Sequence, residues 1–160
     1  MPDIRPATPD DAGALARLHV ACWRETYPGL LPESEIAART VETRRAQWLD
    51  RLASGRDRVL LLPGLGFAEM GPQRDDALRE AGWEEELHAL YLLRAGHRRG
   101  HGRALLSAIW SGRPASALVV AGNAAACAFY ASTGAQVLET RRCRIGEARV
   151  DEHVYVWPGG

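Results

Sequence analysis

The sequence predicts a single domain of the α/β class built on a mixed β-sheet. Two observations favour this class. Apolar or alternating runs typical of strands are interleaved with amphipathic helical segments, in the order β-α-α-β-β-β-α-β-α-β-β. The chain has 160 residues and is 46% hydrophobic, which suffices for one sizeable core, and neither internal repeats nor long linkers divide it. We therefore treat residues 1–160 as one domain.

The first predicted elements are a short strand over 3–7 and a helix over 8–27. The start of the helix is well marked in the sequence. Thr8 is a favourable N-cap, Pro9 suits the first helical position, and Asp11 completes a capping box. These three residues predict where the first helix begins.

A second helix is predicted over 41–53 and ends at the dipeptide "SG". Two strands follow, 58–62 and 66–70, joined by the tight link "PGLG". A polar, irregular segment separates them from a long strand over 86–93. This strand leads directly into the loop "HRRGHG", which is rich in glycine and arginine.

The loop opens a third helix, "GRALLSAIWSG", which Gly112 is expected to stop. The remaining elements are a strand over 117–122, a helix from Asn123 to a C-terminal Gly134, and an antiparallel pair over 136–145 and 149–157. Four helices and seven strands are thus predicted in all.

The composition excludes several classes of protein. The 20 arginines are balanced by 20 acidic residues, which disfavours a dedicated nucleic-acid-binding protein. No lysine is present, so a Walker A phosphate loop is excluded. No apolar run approaches the roughly 20 residues of a membrane span, and the acidic N-terminus "MPDIRPATPDD" is unlike a signal peptide. We therefore expect a cytoplasmic protein with no membrane or nucleic-acid partner.

The three cysteines, Cys22, Cys127 and Cys143, are widely separated in the sequence. They form neither a CxxC pair nor a Cys/His set with metal-ligand spacing. We expect them to be buried small hydrophobic residues, and we expect no metal site.

The loop "HRRGHG" admits two interpretations. Glycines between a strand and a helix can simply turn the chain, and surface arginines are usually solvated. Alternatively, main-chain amides freed by Gly100 and Gly102 converge at a helix N-terminus, where the helix dipole favours a pyrophosphate. A dinucleotide-binding Rossmann loop is the weaker form of this second interpretation, because Leu105 stands where a third glycine is required.

A second motif decides between these interpretations. The segment "NAAACAFYASTG" (123–134) follows the loop by one helix and one strand. Together with "ELHALYLLRAGHRRGHGRALL" it resembles the GNAT acetyltransferase superfamily, whose pattern is a strand, then [QR]-x-x-G-x-[GA] opening a helix, then a strand leading to N-x-x-A-x-x-F-Y-x-x-x-G. Gly100 and Gly102 fill the small-residue positions of the first motif. Those of the second are filled by Asn123, Ala126, Phe129, Tyr130 and Gly134.

The resemblance implies a central, mostly antiparallel sheet of about seven strands with a splayed parallel pair, flanked by about four helices. It also implies that acetyl-coenzyme A (acetyl-CoA) is the cosubstrate, with its pantetheine arm inserted into the splay. The residues expected to contact this cosubstrate are Leu90 and Leu92 through their main chain, the pyrophosphate loop formed by Arg98, Arg99, Gly100, His101, Gly102, Arg103 and Ala104, and Asn123 beside the arm.

The activity that the resemblance implies is direct attack of a primary amine on the thioester in a ternary complex. The Leu92 amide is expected to stabilise the oxyanion. Tyr130 matches the residue that protonates the departing thiolate, since a phenol with a pKa near 10 is protonated at pH 7 and can donate to a thiolate. The alternative is that Tyr130 is only a core aromatic residue.

The base is less well defined by the resemblance. One branch has a glutamate where this chain has Leu118, whereas in another branch the glutamate matches Glu86. By strand alternation Glu86 is expected to point to the same face as His88 and Leu90. Glu86, acting directly or through water, is our candidate base; solvent alone, and His88, remain as alternatives. A further departure from the motif is His97, where the family has Gln or Arg.

Trp23, Tyr27 and Trp48 are the candidate residues around the acceptor amine, although aromatic residues at helical spacing are more often part of a core. The acceptor is a small molecule or a peptide, and the protein a monomer or a homodimer. The alternative function is a non-catalytic acyl-CoA-binding sensor or partner module. The presence of both Tyr130 and Glu86 favours the enzyme.

Overall fold

The computed structural model describes residues 3–160. It contains one seven-stranded sheet in the order β1-β2-β3-β4-β5-β7-β6. The strands are β1 (Arg5–Pro6), β2 (Arg58–Leu62), β3 (Gly66–Pro72), β4 (Glu85–Leu92), β5 (Ala115–Val120), β6 (Gln136–Ile145) and β7 (Ala148–Trp157). The predicted mixed α/β sheet is confirmed.

Six α-helices accompany the sheet within the described residues. They are α1 (Ala12–Thr26), α2 (Glu33–Ala38), α3 (Val41–Ser54), α4 (Asp76–Glu80), α5 (His101–Ile109) and α6 (Ala124–Ser132). The sequence analysis missed α2 and α4. Each is too short for helical periodicity to show in the sequence, and α4 forms where the Asp75 side chain accepts the Leu78 amide at 2.9 Å.

The predicted helix ends are confirmed at three places and wrong at one. The Thr8 amide donates to the Asp11 carboxylate at 2.7 Å, and a 3₁₀ turn over Pro9–Asp11 precedes α1. Gly55, with a φ of 65°, ends α3, and Asn123 caps α6. Helix α5 was expected to run to Gly112 but ends at Ile109, because the chain at Trp110 is extended.

The β4–β5 pair is the parallel pair of the sheet. Residues Glu85 to Leu87 pair with Ala115 to Ala117, and pairing stops there although both strands continue. Every other neighbouring pair of strands is antiparallel. The sheet is therefore split beyond Leu87, as the splayed pair in the expected fold requires.

A β-bulge in β4 accompanies the split. Met70 pairs with Leu87 but Glu69 pairs with Ala89, so His88 has no partner on β3. As a result Leu87 and Leu90 pack into the same core cluster, which strict alternation would forbid. The expectation that Glu86 shares a face with Leu90 is wrong, because the bulge reverses the alternation between them.

Two helical layers cover the sheet. Helices α1 and α3 pack on one face through a cluster that includes Leu15, Trp48 and Phe67. Helices α5 and α6 pack on the other face through Leu105 and Tyr130. Among residues 3–160, no helix has the length and apolar character needed to cross a membrane.

Candidate active site

A cavity of about 760 Å³ lies in the split between β4 and β5. It is bounded by the second half of β4, the loop that opens α5, the end of β5 and the first turns of α6. Its lining includes Leu90, Leu92, His97, Arg98, Gly100, His101, Gly102, Arg103, Leu118, Asn123 and Tyr130. Most of the predicted cosubstrate residues therefore meet around one cavity, which we call the cofactor cavity.

The free edge of β4 faces this cavity. The Leu93 amide donates to the Leu65 carbonyl at 2.8 Å, on the β3 side. Main-chain groups of neighbouring residues in a strand point to opposite edges, so those of Leu92 and Leu90 point into the split. The His97 Nε2–H donates to the Leu92 carbonyl at 3.0 Å. This contact leaves the Leu92 amide as the free donor of that residue.

The loop adopts a conformation that requires glycine at one position. Gly100 has a φ of 79° and is the N-cap of α5, and an added Cβ there would meet no atom within 4 Å. The reason for glycine is thus the left-handed backbone and not lack of space. Arg98 also has a positive φ, 62°, which brings successive loop amides towards the same side.

Arg99 and Ala104 were predicted to contact the pyrophosphate, but their positions in the structure are less favourable for this contact. The Ala104 amide donates to the Gly100 carbonyl at 3.0 Å, which is the first hydrogen bond of α5. Within the described chain, neither Ala104 nor Arg99 lines the cofactor cavity. Neither residue is therefore among the pyrophosphate contacts that we propose.

Gly102 lies against α6. An ideal Cβ on this residue would stand 3.1 Å from Cε1 and 3.2 Å from Cζ of Phe129. The sequence interpretation attributed Gly102 to the approach of phosphate. The structure adds a packing reason, since any side chain at 102 would push the N-terminus of α5 away from Phe129.

Helix α6 contributes a capping amide and a phenol to the cavity. The Asn123 Oδ1 accepts the Ala126 amide at 3.2 Å, which fixes the start of the helix. Tyr130 is 7% exposed, and its ring packs against Tyr155 in a tilted arrangement and against Trp157 edge to face. Burial raises the pKa of Tyr130 above its ordinary value, so its hydroxyl stays protonated at neutral pH.

A second cavity, of about 200 Å³, adjoins the first. We call it the acceptor cavity. Its lining is Trp23, Tyr27, Arg74, Glu86, His88, Tyr91, Leu118, Val120, Ile145 and Glu152. Five of these residues, Tyr27, His88, Tyr91, Leu118 and Val120, also line the cofactor cavity. The two cavities therefore meet at the β4 bulge.

Glu86 lies in the acceptor cavity and is ion-paired. Its two carboxylate oxygens accept from the Arg74 guanidinium, at 2.7 Å from Nη2 and 3.1 Å from Nε. This bidentate pair fixes the orientation of the carboxylate. His88 is 3.9 Å away, and burial lowers the pKa of its imidazole.

No protein-family model matches the sequence. YuaI, an uncharacterized N-acetyltransferase of Bacillus subtilis (strain 168), is 33% identical over 109 residues, which cover 67% of this chain and 61% of YuaI. The match thus spans less than two thirds of that relative.

Solved structures match over nearly the whole chain. The GCN5-related N-acetyltransferase from Rhodopseudomonas palustris has a TM-score of 0.75 at 19% identity, covering 100% of this chain and 96% of its own. YncA from Salmonella typhimurium, crystallised with acetyl-CoA, has a TM-score of 0.70 at 21% identity, covering 97% and 92%. The chain has the GNAT fold. The resemblance inferred from the two motifs is confirmed.

The predicted acceptor residues occupy different parts of this GNAT fold. Trp23 and Tyr27 line the acceptor cavity, and the Tyr27 and Tyr91 hydroxyls are hydrogen-bonded at 2.9 Å. Trp48 is fully buried and donates its indole N–H to His19 Nδ1 at 3.2 Å. In the described part of the chain Trp48 lines neither cavity, so we leave it out of the acceptor site.

Three residues that line the acceptor cavity were not predicted from the sequence: Arg74, Tyr91 and Glu152. Arg74 lies in the segment that was predicted to be irregular. Glu152 lies in a strand with alternating polar and apolar residues, where a charged side chain is normally expected to face solvent. Tyr91 is the exception, because it lies between Leu90 and Leu92 in a strand already assigned to the site. The alternation of side chains along that strand is the signal that would have placed the Tyr91 side chain on the face opposite to those of Leu90 and Leu92.

A buried polar cluster lies behind His88 on neighbouring strands. One carboxylate oxygen each from Asp57 and Glu69 and one imidazole nitrogen of His88 lie within 4.8 Å of one another. Arg51 donates to Glu69 at 3.2 Å. Burial, opposed by Arg51 and reinforced by Asp57, raises the pKa of Glu69 to about 7. Glu69 is therefore partly protonated near neutral pH.

Proposed function

We propose that this protein is an N-acetyltransferase that moves the acetyl group of acetyl-CoA to a primary amine, by direct attack in a ternary complex. The observation that carries the proposal is the split between β4 and β5. It exposes main-chain groups of Leu90 and the amide of Leu92, which pair with no neighbouring strand of the described chain, to a cavity large enough for an extended thioester arm. The same fold holds acetyl-CoA in the YncA structure.

The loop is suited to the diphosphate of the cosubstrate. The N-terminus of α5 carries a partial positive charge of about half a unit, and its first amides open towards the cavity from Gly100 onwards. Arg98 and Arg103 line the same region. Backbone amides provide the directional contacts, and the arginines add charge.

Two groups carry the chemical step in this proposal. In the proposed reaction the Leu92 amide donates to the oxyanion of the tetrahedral intermediate, since its carbonyl is already held by His97. As the C–S bond breaks, the Tyr130 hydroxyl transfers its proton to the thiolate. The raised pKa of Tyr130 keeps this proton in place until the leaving group develops charge.

The proton of the incoming ammonium leaves towards Glu86, directly or through water. Glu86 is buried and lies in the acceptor cavity, but Arg74 occupies both of its oxygens. Because both oxygens already accept from Arg74, we propose that a bridging water relays the proton from the ammonium to the Glu86 carboxylate.

The proposal is tested by two measurements on the same protein. Calorimetry measures binding of acetyl-CoA, and a thiol assay measures release of CoA in the presence of a panel of primary amines. We expect binding at a one-to-one ratio and amine-dependent thiol release. Binding with no thiol release for any amine would identify a non-catalytic acyl-CoA-binding module. Absence of binding would refute both functions.

A further inference from the structure

The acceptor cavity contains one carboxylate without a charged partner. Glu86 is neutralised by Arg74. On β6 and β7, Arg141 pairs with Asp75 and Glu139, and Arg142 pairs with Asp151. Within residues 3–160 no ion pair includes Glu152, although this side chain lines the cavity. The cavity therefore carries about one uncompensated negative charge.

The rest of the wall is mostly apolar. Trp23, Tyr27 and Tyr91 form an aromatic side in which Trp23 and Tyr27 are 4.7 Å apart between ring centroids. Leu118, Val120 and Ile145 form an aliphatic side. Aromatic faces attract organic cations, and apolar walls favour an apolar body.

The volume limits the ligand. About 200 Å³ equals the liquid volume of about seven water molecules. A single ring with a short alkyl chain fits this space. A longer substrate would have to extend out of the cavity.

Two arginines lie close to the aromatic side of the cavity, and one of them, Arg44, has no ion pair within residues 3–160. The guanidinium carbons of Arg39 and Arg44 lie 4.9 and 4.8 Å from the centroid of the Trp23 ring. Arg39 is paired with Glu35. Neither arginine lines the acceptor cavity in the part of the chain that the structure describes, and Arg74, which does line it, is already paired with Glu86. A carboxylate bound there would therefore face the unpaired Glu152.

Building on the proposed function, we propose that the acceptor is a small primary amine with an apolar body and no carboxylate, and that Glu152 selects it by attracting its cationic group. Glu152 lines the acceptor cavity near Tyr27, and Tyr27 lines both cavities. An amine held there would lie next to the cofactor cavity, because the two cavities share five lining residues. Glu152 is thus a specificity-determining residue, distinct from the groups that carry the chemical step.

The test uses three ligands with the same ring: phenethylamine, phenylalanine, and phenylalanine methyl ester. Binding to the CoA-loaded protein is measured by calorimetry, and turnover with acetyl-CoA by thiol release. We expect phenethylamine to bind at least about tenfold more tightly than phenylalanine. Phenylalanine methyl ester keeps the amino group but lacks the carboxylate, and its affinity should lie between those of the other two. Equal or tighter binding of phenylalanine, or of a short peptide, would overturn the inference.

Glu152→Gln is the decisive variant, and Asp151→Asn is its matched control. Asp151 is the next residue on the same strand, but it is exposed and pairs with Arg142. We expect Glu152→Gln to weaken phenethylamine binding about tenfold and to raise KM for the amine, with KM for acetyl-CoA unchanged. Asp151→Asn should change neither. An unchanged affinity in Glu152→Gln, with folding verified by circular dichroism, would refute the role of Glu152.

The two proposals fail differently. If phenethylamine binds the CoA-loaded protein through Glu152 but no thiol is released, the acceptor assignment stands as a binding specificity and the acetyl-transfer function is wrong. If other amines are acetylated and phenethylamine does not bind, the function stands and the acceptor assignment is wrong.

Discussion

The two cavities that meet at the β4 bulge are built in opposite ways. The cofactor cavity depends on main-chain groups and small residues, from the β4 edge at Leu90 and Leu92 to the helix N-terminus after Gly100. The acceptor cavity depends on side chains, including Trp23 from α1 and Glu152 from β7. The first cavity therefore relies mainly on backbone groups, which every protein has. The second relies on side chains that are particular to this sequence.

This contrast has a consequence for specificity. Backbone amides at a fixed geometry recognise a diphosphate and an amide-containing arm, which are constant parts of a cosubstrate. Side chains from several elements can vary independently around a changeable acceptor. We therefore expect substitutions in the first cavity to affect all acceptors equally, and substitutions in the second to change the preference among them.

Gly102→Val should have the largest effect. Its Cβ would already stand 3.1 Å from Phe129, so the valine separates α5 from α6 and displaces the amides of the cofactor cavity. We expect acetyl-CoA affinity to fall by about 100-fold or more, or about 3 kcal/mol, as measured by calorimetry. Ser107→Val, on the exposed side of the same helix, is the control and should bind normally. Unaltered binding in Gly102→Val would remove the loop from the cosubstrate site.

Tyr130→Phe should have the next largest effect, and it should separate binding from chemistry within the cofactor cavity. We expect kcat to fall by about 100-fold, with the Kd for acetyl-CoA nearly unchanged, because only the proton donor is lost. Tyr155→Phe removes a hydroxyl from the ring that packs against Tyr130 and serves as the control. Equal turnover in Tyr130→Phe and the native protein would assign this residue to the core alone.

Glu86→Gln should have a smaller effect on turnover. Because Arg74 already holds this carboxylate, we expect kcat to fall by about tenfold, below the usual range for a general base, and the acidic limb of the pH–rate profile to move. Glu85→Gln is the matched control, since Glu85 pairs with Arg58 and Ser111 and lines neither cavity in the described chain. If the acidic limb stays in place in Glu86→Gln, solvent is the base.

Glu69→Gln should act on stability through the cluster behind His88. The folded-state pKa of Glu69, about 7, is above its ordinary value of 4.5. A raised carboxyl pKa gives stability that is present below about pH 4.5 and is lost as the pH rises through about 7. We expect the variant to gain on the order of 2 kcal/mol relative to the native protein between pH 5 and pH 8, measured by urea unfolding.

Glu139→Gln is the control for this measurement, because Glu139 is exposed and pairs with Arg141 at the surface. It should follow the pH dependence of the native protein. A Glu69→Gln variant with the same slope as the native protein would show that Glu69 is ionised throughout, held by Arg51.

The fold was predictable wherever a local rule applied. The capping residues Thr8 and Asn123 and the helix-ending Gly55 act within a few residues of their own position, so the sequence was sufficient to place them. Helices α2 and α4 were missed because five or six residues show no clear period. The end of α5 was misplaced because the extended chain at Trp110 breaks the helix before the glycine does.

The candidate site was predictable on one side only. Gly100 and Asn123 belong to two motifs in one continuous stretch, and each sets a backbone conformation by itself. Trp48, by contrast, satisfied the pattern of a pocket residue and lies in the core. Helical spacing defines which face of a helix a residue occupies, but not whether that face meets a cavity or a sheet.

The sequence by itself determined the class of the sheet, the glycine-rich loop that opens α5 and the position of Tyr130 on α6, because backbone preferences and motif spacing are properties of neighbouring residues. The tertiary structure alone decided that β4 bulges at His88, that Arg74 neutralises Glu86, and that Glu152 does not receive such a partner. These outcomes depend on strand register and on contacts between residues far apart in the chain. Local preferences carry no information about such contacts.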